Sequence, residues 1–238
     1  MNDLRITSAG LTDIGNVRDH NEDAFAINND LGLFIVADGV GGEQAGEIAS
    51  SLIAESLPLF VKKTLQALPP EPDEEEIAVA LGRCIQETNR LVHERSRAVP
   101  QWQGMASTLV TCLVRGTTAC IAHIGDSKAY ILKRKALKRL TTDHSLPHPC
   151  HFRNVITRSI GSMEEVSADI ACHTIEPGDK ILLCSGHHLT SKQVPVRLLL
   201  KLRPSSVLMS PNELRRLSGG SLVFVFLGSH LTSLMPFP

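Results

Sequence analysis

Residues 21–40 read NEDAFAINNDLGLFIVADGV, and the reading of this stretch decides the fold. Asn21 to Asn28 makes one β-segment. Leu31 to Ala37, short, apolar and rich in branched residues, makes another. An Asn-Asn-Asp turn between them predicts a hairpin. Asp38 then ends the apolar run and is followed at once by a glycine loop containing Gly39, Gly41 and Gly42. A carboxylate at the end of a buried strand is costly unless it is paired or bound to a metal.

Downstream of this hairpin the period changes. From Gln44 to Leu68 the apolar residues Ala45, Ile48, Ala49, Leu52, Ile53, Leu57 and Phe60 recur at steps of three and four, which predicts a long amphipathic helix. The segment PPEPDEEE at Pro69–Glu76 reads as a linker whose acids favour the first turn of a helix. A second helix is predicted from about Ile77 to Arg97. Ser107–Val114, Ala119–Ile124, Lys128–Leu132 and Ile181–Cys184 are short and β-rich. Two strands, two helices and then several strands give an α+β fold, with helices packed outside antiparallel sheets.

The chain's 238 residues fit a single domain, read here as residues 1–238, and hydrophobic residues at 42% suffice for a core. With 24 Lys+Arg against 25 Asp+Glu there is no basic excess, which argues against a nucleic-acid binder. No apolar run spans a bilayer and no secretory leader begins the chain, so a cytoplasmic protein away from membranes is expected. The cysteines Cys84, Cys112, Cys120, Cys150, Cys172 and Cys184 form no CxxC pair and read as buried, reduced thiols.

Acids recur where acids are awkward. In GNVRDHNEDAF, Arg18 is followed by Asp19, Glu22 and Asp23, and in HIGDSKAY Asp126 follows an apolar strand and a glycine, as Asp38 precedes one. Each alone is an ordinary turn sequence. Together they suit an oxygen-rich site for Mg²⁺ or Mn²⁺.

The ordered segments TDIGNVRDHNEDAF, FIVADGVGGEQAGEIAS, GMASTLVTCLV, AHIGDSKAYIL, LTTDHSL, RNVITRSIG and KILLCS resemble the metal-dependent protein serine/threonine phosphatases, the PPM or type 2C family, in bacterial form. The resemblance runs across residues 11–185. It implies a four-layer sandwich of two antiparallel sheets flanked by helix pairs, with two Mn²⁺ or Mg²⁺ ions at one end and a third, weaker site. By resemblance, Asp38 bridges the two ions, the Gly39 carbonyl ligates one, Glu22 faces the metals and Asp23 supports them. Arg18 grips the substrate phosphate, and Asp126 belongs to the third ion. The implied reaction is hydrolysis of phosphoserine or phosphothreonine in phosphoproteins by a metal-activated water. The implied partners are those substrates and a cognate bacterial-type Ser/Thr kinase that the enzyme opposes. His20 and His123 read as structural rather than catalytic.

Two departures stand against this pattern. The family continues its late strand as Ser-Asp-Gly, where this chain reads CSGHHLTS at Cys184–Ser191. It also ends on an Asp-Asn-Ile-Thr strand, whereas no aspartate follows Asp179. Composition changes at Gly186: of the 53 residues from there only Glu213 is acidic, against six basic ones, so residues 186–238 are read as divergent. Within them, Asn212–Leu217 reads as a short helix and 221–227 as a strand. The flap between DHSL and RNVITR is reduced to Pro147–Phe152, and the nearby His144, His148, Cys150 and His151 have no spacing suited to zinc. An alternative function is therefore a catalytically impaired, phosphatase-like domain that binds phosphoproteins or regulates a kinase.

Overall fold

The computed structural model describes residues 4–13, 20–40, 45–146, 155–185 and 220–228. The opening hairpin is β2 (Asp23–Asn28) paired antiparallel with β3 (Leu33–Val40). It is preceded by β1 (Arg5–Asp13), a strand that the reading of two β-segments in the first forty residues did not contain.

β3 organises the layers. Leu33, Ile35 and Ala37 point to one side and pack against helices, while Phe34 and Val36 point to the other and pack against a second sheet. An apolar residue at every position is what burial on both faces demands. The helical side holds α1 (Gly46–Ala67) and α2 (Glu74–Ala98), whose Ala49, Ile53, Leu57, Leu81, Ile85 and Val92 meet the sheet. α2 starts three residues before the predicted Ile77. The Asp73 side chain accepts the Glu76 N–H at 2.8 Å, and the Glu76 carboxylate accepts the Asp73 N–H at 3.0 Å. That reciprocal cap satisfies two otherwise orphaned donors and fixes the start.

The sheet under the helices also contains β4 (Ala106–Ser107), β5 (Leu109–Arg115), β6 (Thr118–Ile124) and β11 (Asp169–Thr174), in the order β11-β6-β5-β3-β2 with β4 beside β3. The facing sheet has the order β1-β13-β12-β7-β8, where β7 is Lys128–Lys133, β8 Ala136–Arg139, β12 Lys180–Cys184 and β13 Gly220–Gly228. A small ladder joins β9 (Ser145–Leu146) to β10 (Val155–Ile156). Every ladder is antiparallel, and the two sheets enclose Val110, Cys112, Ile121, Ile131, Ile181 and Leu183. This is the expected α+β sandwich. The described helices cover one sheet; the proposed helix at Asn212–Leu217 lies outside the described residues, while the proposed strand at 221–227 is β13.

One expectation is corrected. Cys120 and Cys172 are directly opposed in the β6–β11 ladder and form a disulfide. Register brings together two cysteines 52 residues apart, which spacing along the chain does not reveal. Cys84, Cys112 and Cys184 are free and buried.

Candidate active site

Of the acids singled out in the sequence, Asp23, Asp38 and Asp126 stand at strand ends or in the turn beside them, and Asp19 lies outside the described residues. Along β3, alternation puts Asp38 on the same face as Phe34 and Val36. Along β2 it puts Asp23 on the face of Phe25 and Ile27. Register then opposes the two carboxylate-bearing residues, Asp23 to Asp38, as Phe25 is opposed to Val36. The apolar layer between the sheets thus ends in a pair of aspartates. Ser185, which follows β12 in the opposite sheet, donates its hydroxyl to Asp23 Oδ2.

Asp38 is 7% exposed and its backbone is held on both sides. Its N–H donates to Thr108 Oγ1 at 3.1 Å, and its carbonyl accepts the Thr108 N–H at 2.8 Å and the Ser107 hydroxyl at 3.0 Å. Gly39 donates its N–H to the Glu22 carbonyl at 3.0 Å, and that carbonyl also accepts the Ser50 hydroxyl of α1 at 2.6 Å. A Cβ on Gly39 would meet the Gly46 backbone at 2.3 Å. Only glycine lets the start of α1 come this close to the loop after Asp38.

Asp126, 2% exposed, occupies the turn between β6 and β7, and each residue around it is braced. Gly125 is clamped by His144, whose N–H donates to the Gly125 carbonyl at 2.9 Å and whose Nδ1 accepts the Gly125 N–H at 3.2 Å. Lys128 Nζ donates to the Asp126 carbonyl at 2.8 Å and lies 3.8 Å from Asp143, which also pairs with Arg139. Ser127 shares a 2.7 Å hydrogen bond with Thr108, the residue that holds Asp38. Thr108 therefore ties the turn carrying Asp126 to the end of β3. Glu22 reaches this assembly through its main chain. Arg18 lies outside the described residues, as do His148, Cys150 and His151.

Hard carboxylate oxygens around Asp23, Asp38 and Asp126 are the donor type that Mg²⁺ and Mn²⁺ prefer. Two opposed aspartates, one of them buried, also call for a cation to offset their repulsion. The residues present fit such ions. The family's late aspartates have no described counterpart. β13 begins at Gly220 and Ser221, with Leu222 paired to Cys184 at this same end, and its sequence GSLVFVFLG holds no acid.

His123, His144 and Asp169 form a second group of metal-capable side chains, with donor atoms within 4.8 Å of one another. Its hydrogen bonds do not suit a cation. His144 Nδ1 accepts the Gly125 N–H, so the ring proton sits on Nε2, which faces Asp169 Oδ2 at 3.1 Å. Arg158 already supplies a positive charge to Asp169 at 2.8 Å. The hydrogen bond from His144, and then Arg158, hold the Asp169 carboxyl below its ordinary range against desolvation. His123 donates Nε2–H to the Thr142 carbonyl at 2.7 Å and stacks on His144, and burial pushes its pKa down. Both contacts are internal to the fold, one to the Thr142 carbonyl and one to the His144 ring.

Among the described residues no thiol is poised for attack. Burial pushes Cys184, beside the site, up to about 12, and Cys112 likewise. The sequence reading missed Thr108, Ser127, Lys128, His144 and Ser185 as braces. Threonine and serine inside apolar strands were the available signal, since a buried hydroxyl needs a partner.

The chain matches the family model described as protein phosphatase 2C over residues 16–187. It is 34% identical over 191 residues to the serine/threonine phosphatase stp of Listeria monocytogenes, covering 73% of this chain and 74% of that protein. Among solved structures it resembles PppA, a key regulatory component of T6SS in Pseudomonas aeruginosa, with TM-score 0.73, 30% identity and coverage of 96% and 100%. A bacterial serine phosphatase superposes with TM-score 0.76 at 26% identity, covering 97% and 100%. The fold and the acidic end of the sandwich define a phosphatase sandwich. The chain belongs to the protein phosphatase 2C family, in its bacterial form, and so to the serine/threonine protein phosphatases among the hydrolases. No helix among the described residues is long and apolar enough to cross a membrane.

Proposed function

We propose that this chain hydrolyses phosphoserine and phosphothreonine in proteins by a metal-activated water and opposes a bacterial-type Ser/Thr kinase in the cytoplasm. The observation that carries this reading is the opposition of Asp23 and Asp38 at the end of the sandwich, with Asp126 tied to the same strand through Thr108. Asp38, the Gly39 carbonyl, Glu22 and Asp23 would hold two Mn²⁺ or Mg²⁺ ions, and Asp126 a third. Such ions acidify a bound water and neutralise charge on the transferring phosphoryl group.

The chain's own groups supply position. Thr108 and Ser107 fix the Asp38 backbone, and Ser185 orients Asp23 from the opposite sheet. Arg18 offers a planar fork of donors suited to the substrate phosphate. No covalent intermediate is needed, in keeping with the Cys112 and Cys184 thiols, which burial keeps protonated.

A second reading is favoured by β13. Its Gly220–Ser221 start lies at the acidic end without a carboxylate, within the divergent 186–238 part of a single 1–238 domain. A phosphatase-like binding domain of reduced turnover would look like this. Hydrolysis of a phosphothreonine peptide, with Mn²⁺ titrated from micromolar to millimolar beside Asp38→Asn, separates the two. Metal-dependent turnover abolished by the substitution establishes the enzyme. A folded protein that binds the phosphopeptide without turnover establishes the binding domain.

A further inference from the structure

The part of the molecule not accounted for by the acidic centre is the buried His144 with Asp169 and Arg158. His144 uses all four of its polar groups. Its N–H donates to the Gly125 carbonyl, its own carbonyl accepts the Thr157 N–H at 2.9 Å, its Nδ1 accepts the Gly125 N–H, and its Nε2–H meets Asp169. The Arg158 nitrogen 3.4 Å from Nε2 is a donor facing a donor, so its hydrogen bond goes to Asp169 instead.

From this geometry we infer that His144 is a positioning residue that sets the Asp126 turn for ion binding. Asp169 and Arg158 fix the ring tautomer that grips Gly125. The inference rests on the reading of Asp126 as an ion ligand. Groups that orient a ligand from behind commonly control metal affinity by about 10–100-fold. Gly125 can be gripped at two points because it adopts φ +94, and a Cβ there would strike Thr108 Cγ2 at 2.7 Å. The arrangement also connects two regions: Thr157 and Arg158 follow the shortened flap, and Gly125 precedes Asp126.

The test compares wild type, His144→Ala and His144→Asn by Mn²⁺ electron paramagnetic resonance, which counts bound ion without turnover. Phosphopeptide kinetics are measured beside it. Asn places an oxygen where Nδ1 stood and can still accept the Gly125 N–H; Ala cannot. The expected result is about a 10-fold weakening of the weakest Mn²⁺ step in Ala, with substantial recovery in Asn and little change in peptide KM. Equal Mn²⁺ affinity in wild type and Ala, whatever the change in Tm, overturns the inference and leaves the phosphatase reading standing. Wild-type protein that binds no Mn²⁺ sinks the reading of Asp126, and the inference with it. Turnover is not needed for either decision.

Discussion

Asp23 and Asp38 are directly opposed in the β2–β3 ladder, the outermost pair of a row that continues inward as Phe25–Val36 and Ile27–Phe34. The inner pairs stabilise the sandwich, whereas the outer pair sets two negative charges on one face. Like charges in this relation are destabilising. The pair is held in position from three sides: Thr108 and Ser107 hold the Asp38 backbone, Ser185 holds the Asp23 side chain, and Ser50 of α1 holds the Glu22 carbonyl beside them.

Asp38→Asn should therefore move activity and stability in opposite directions. Loss of a ligand should cost at least about 100-fold in Mn²⁺-dependent hydrolysis, since even supporting groups cost 10–100-fold. Relief of the cross-strand repulsion should stabilise the metal-free protein by about 0.5–1 kcal/mol. Thermal melts in chelator, beside phosphopeptide assays in Mn²⁺, check both. A variant that loses activity and also melts lower would show that Asp38 serves mainly the fold.

Gly125→Ala should be among the most damaging single-methyl additions in the chain. The residue sits at φ +94, and its added Cβ would lie 2.7 Å from Thr108 Cγ2 and 2.9 Å from Thr108 Cβ. Left-handed strain costs about 1–3 kcal/mol, and displacing Thr108 disturbs its bonds to Ser127 and Asp38. Chemical denaturation should show a loss of at least about 2 kcal/mol. Gly178→Ala is the control, because it has nearly the same φ of +95 but nothing within 4 Å of its Cβ. Equal losses at the two glycines would remove Thr108 from the explanation.

The elements legible in the sequence are those whose periodicity is local. Leu33–Ala37 is apolar on both faces because it separates two layers, and the helices show steps of three and four because one face of α1 meets β2 and β3 and one face of α2 meets β6 and β11. The acids Asp23, Asp38 and Asp126 were legible as strand-end carboxylates. What stayed hidden depends on register or on unusual turns. β1 (RITSAGLTD) has little alternation and gains its definition by pairing with β13, a strand more than 200 residues downstream. The Cys120–Cys172 bond needs the β6–β11 register. The braces Thr108 and His144 read as ordinary strand and turn residues until the fold sets Asp38 and Gly125 beside them.

Acid should destabilise the protein first through the buried His123 and the half-buried His173. The His123 pKa lies below its ordinary 6.5, chiefly through burial, and His173 is shifted the same way by burial and then by Lys138 and Lys133. A depressed histidine pKa means that the unfolded chain binds the proton first. Stability is then full above about pH 6.5 and falls as the pH drops from there towards the folded-state value. Asp169 is also depressed, and its contribution is lost at lower pH, below its ordinary 3.8. His123→Gln retains an amide donor for the Thr142 carbonyl and removes the titration. Its denaturation free energy should lose up to about 1.4 kcal/mol per pH unit of slope between pH 6.5 and 5. An unchanged slope would assign the acid sensitivity elsewhere.

The β7–β8 hairpin escaped the sequence reading because its turn lacks the usual residues. Lys133 pairs with Ala136, leaving Arg134 and Lys135 as a two-residue loop with φ +47 and +74. Two positive φ angles are the mark of a type I′ turn, normally built from Asn-Gly or Asp-Gly. Here two long basic side chains occupy it, and each L-residue in that conformation costs about 1–2 kcal/mol. The 4.0 Å contact of Arg134 with Glu176 offsets little, because both side chains are largely exposed. Lys133, whose ammonium lies 3.1 Å from the buried Asp179, anchors the strand end and leaves the loop free to change. Lys135→Gly should therefore stabilise the protein by about 1 kcal/mol after allowing for glycine's greater freedom in the unfolded chain. Arg134→Asn should add a smaller gain. Urea midpoints at constant m-value measure both. A midpoint for Lys135→Gly at or below wild type would mean that the long side chain makes contacts worth as much as the strain it imposes.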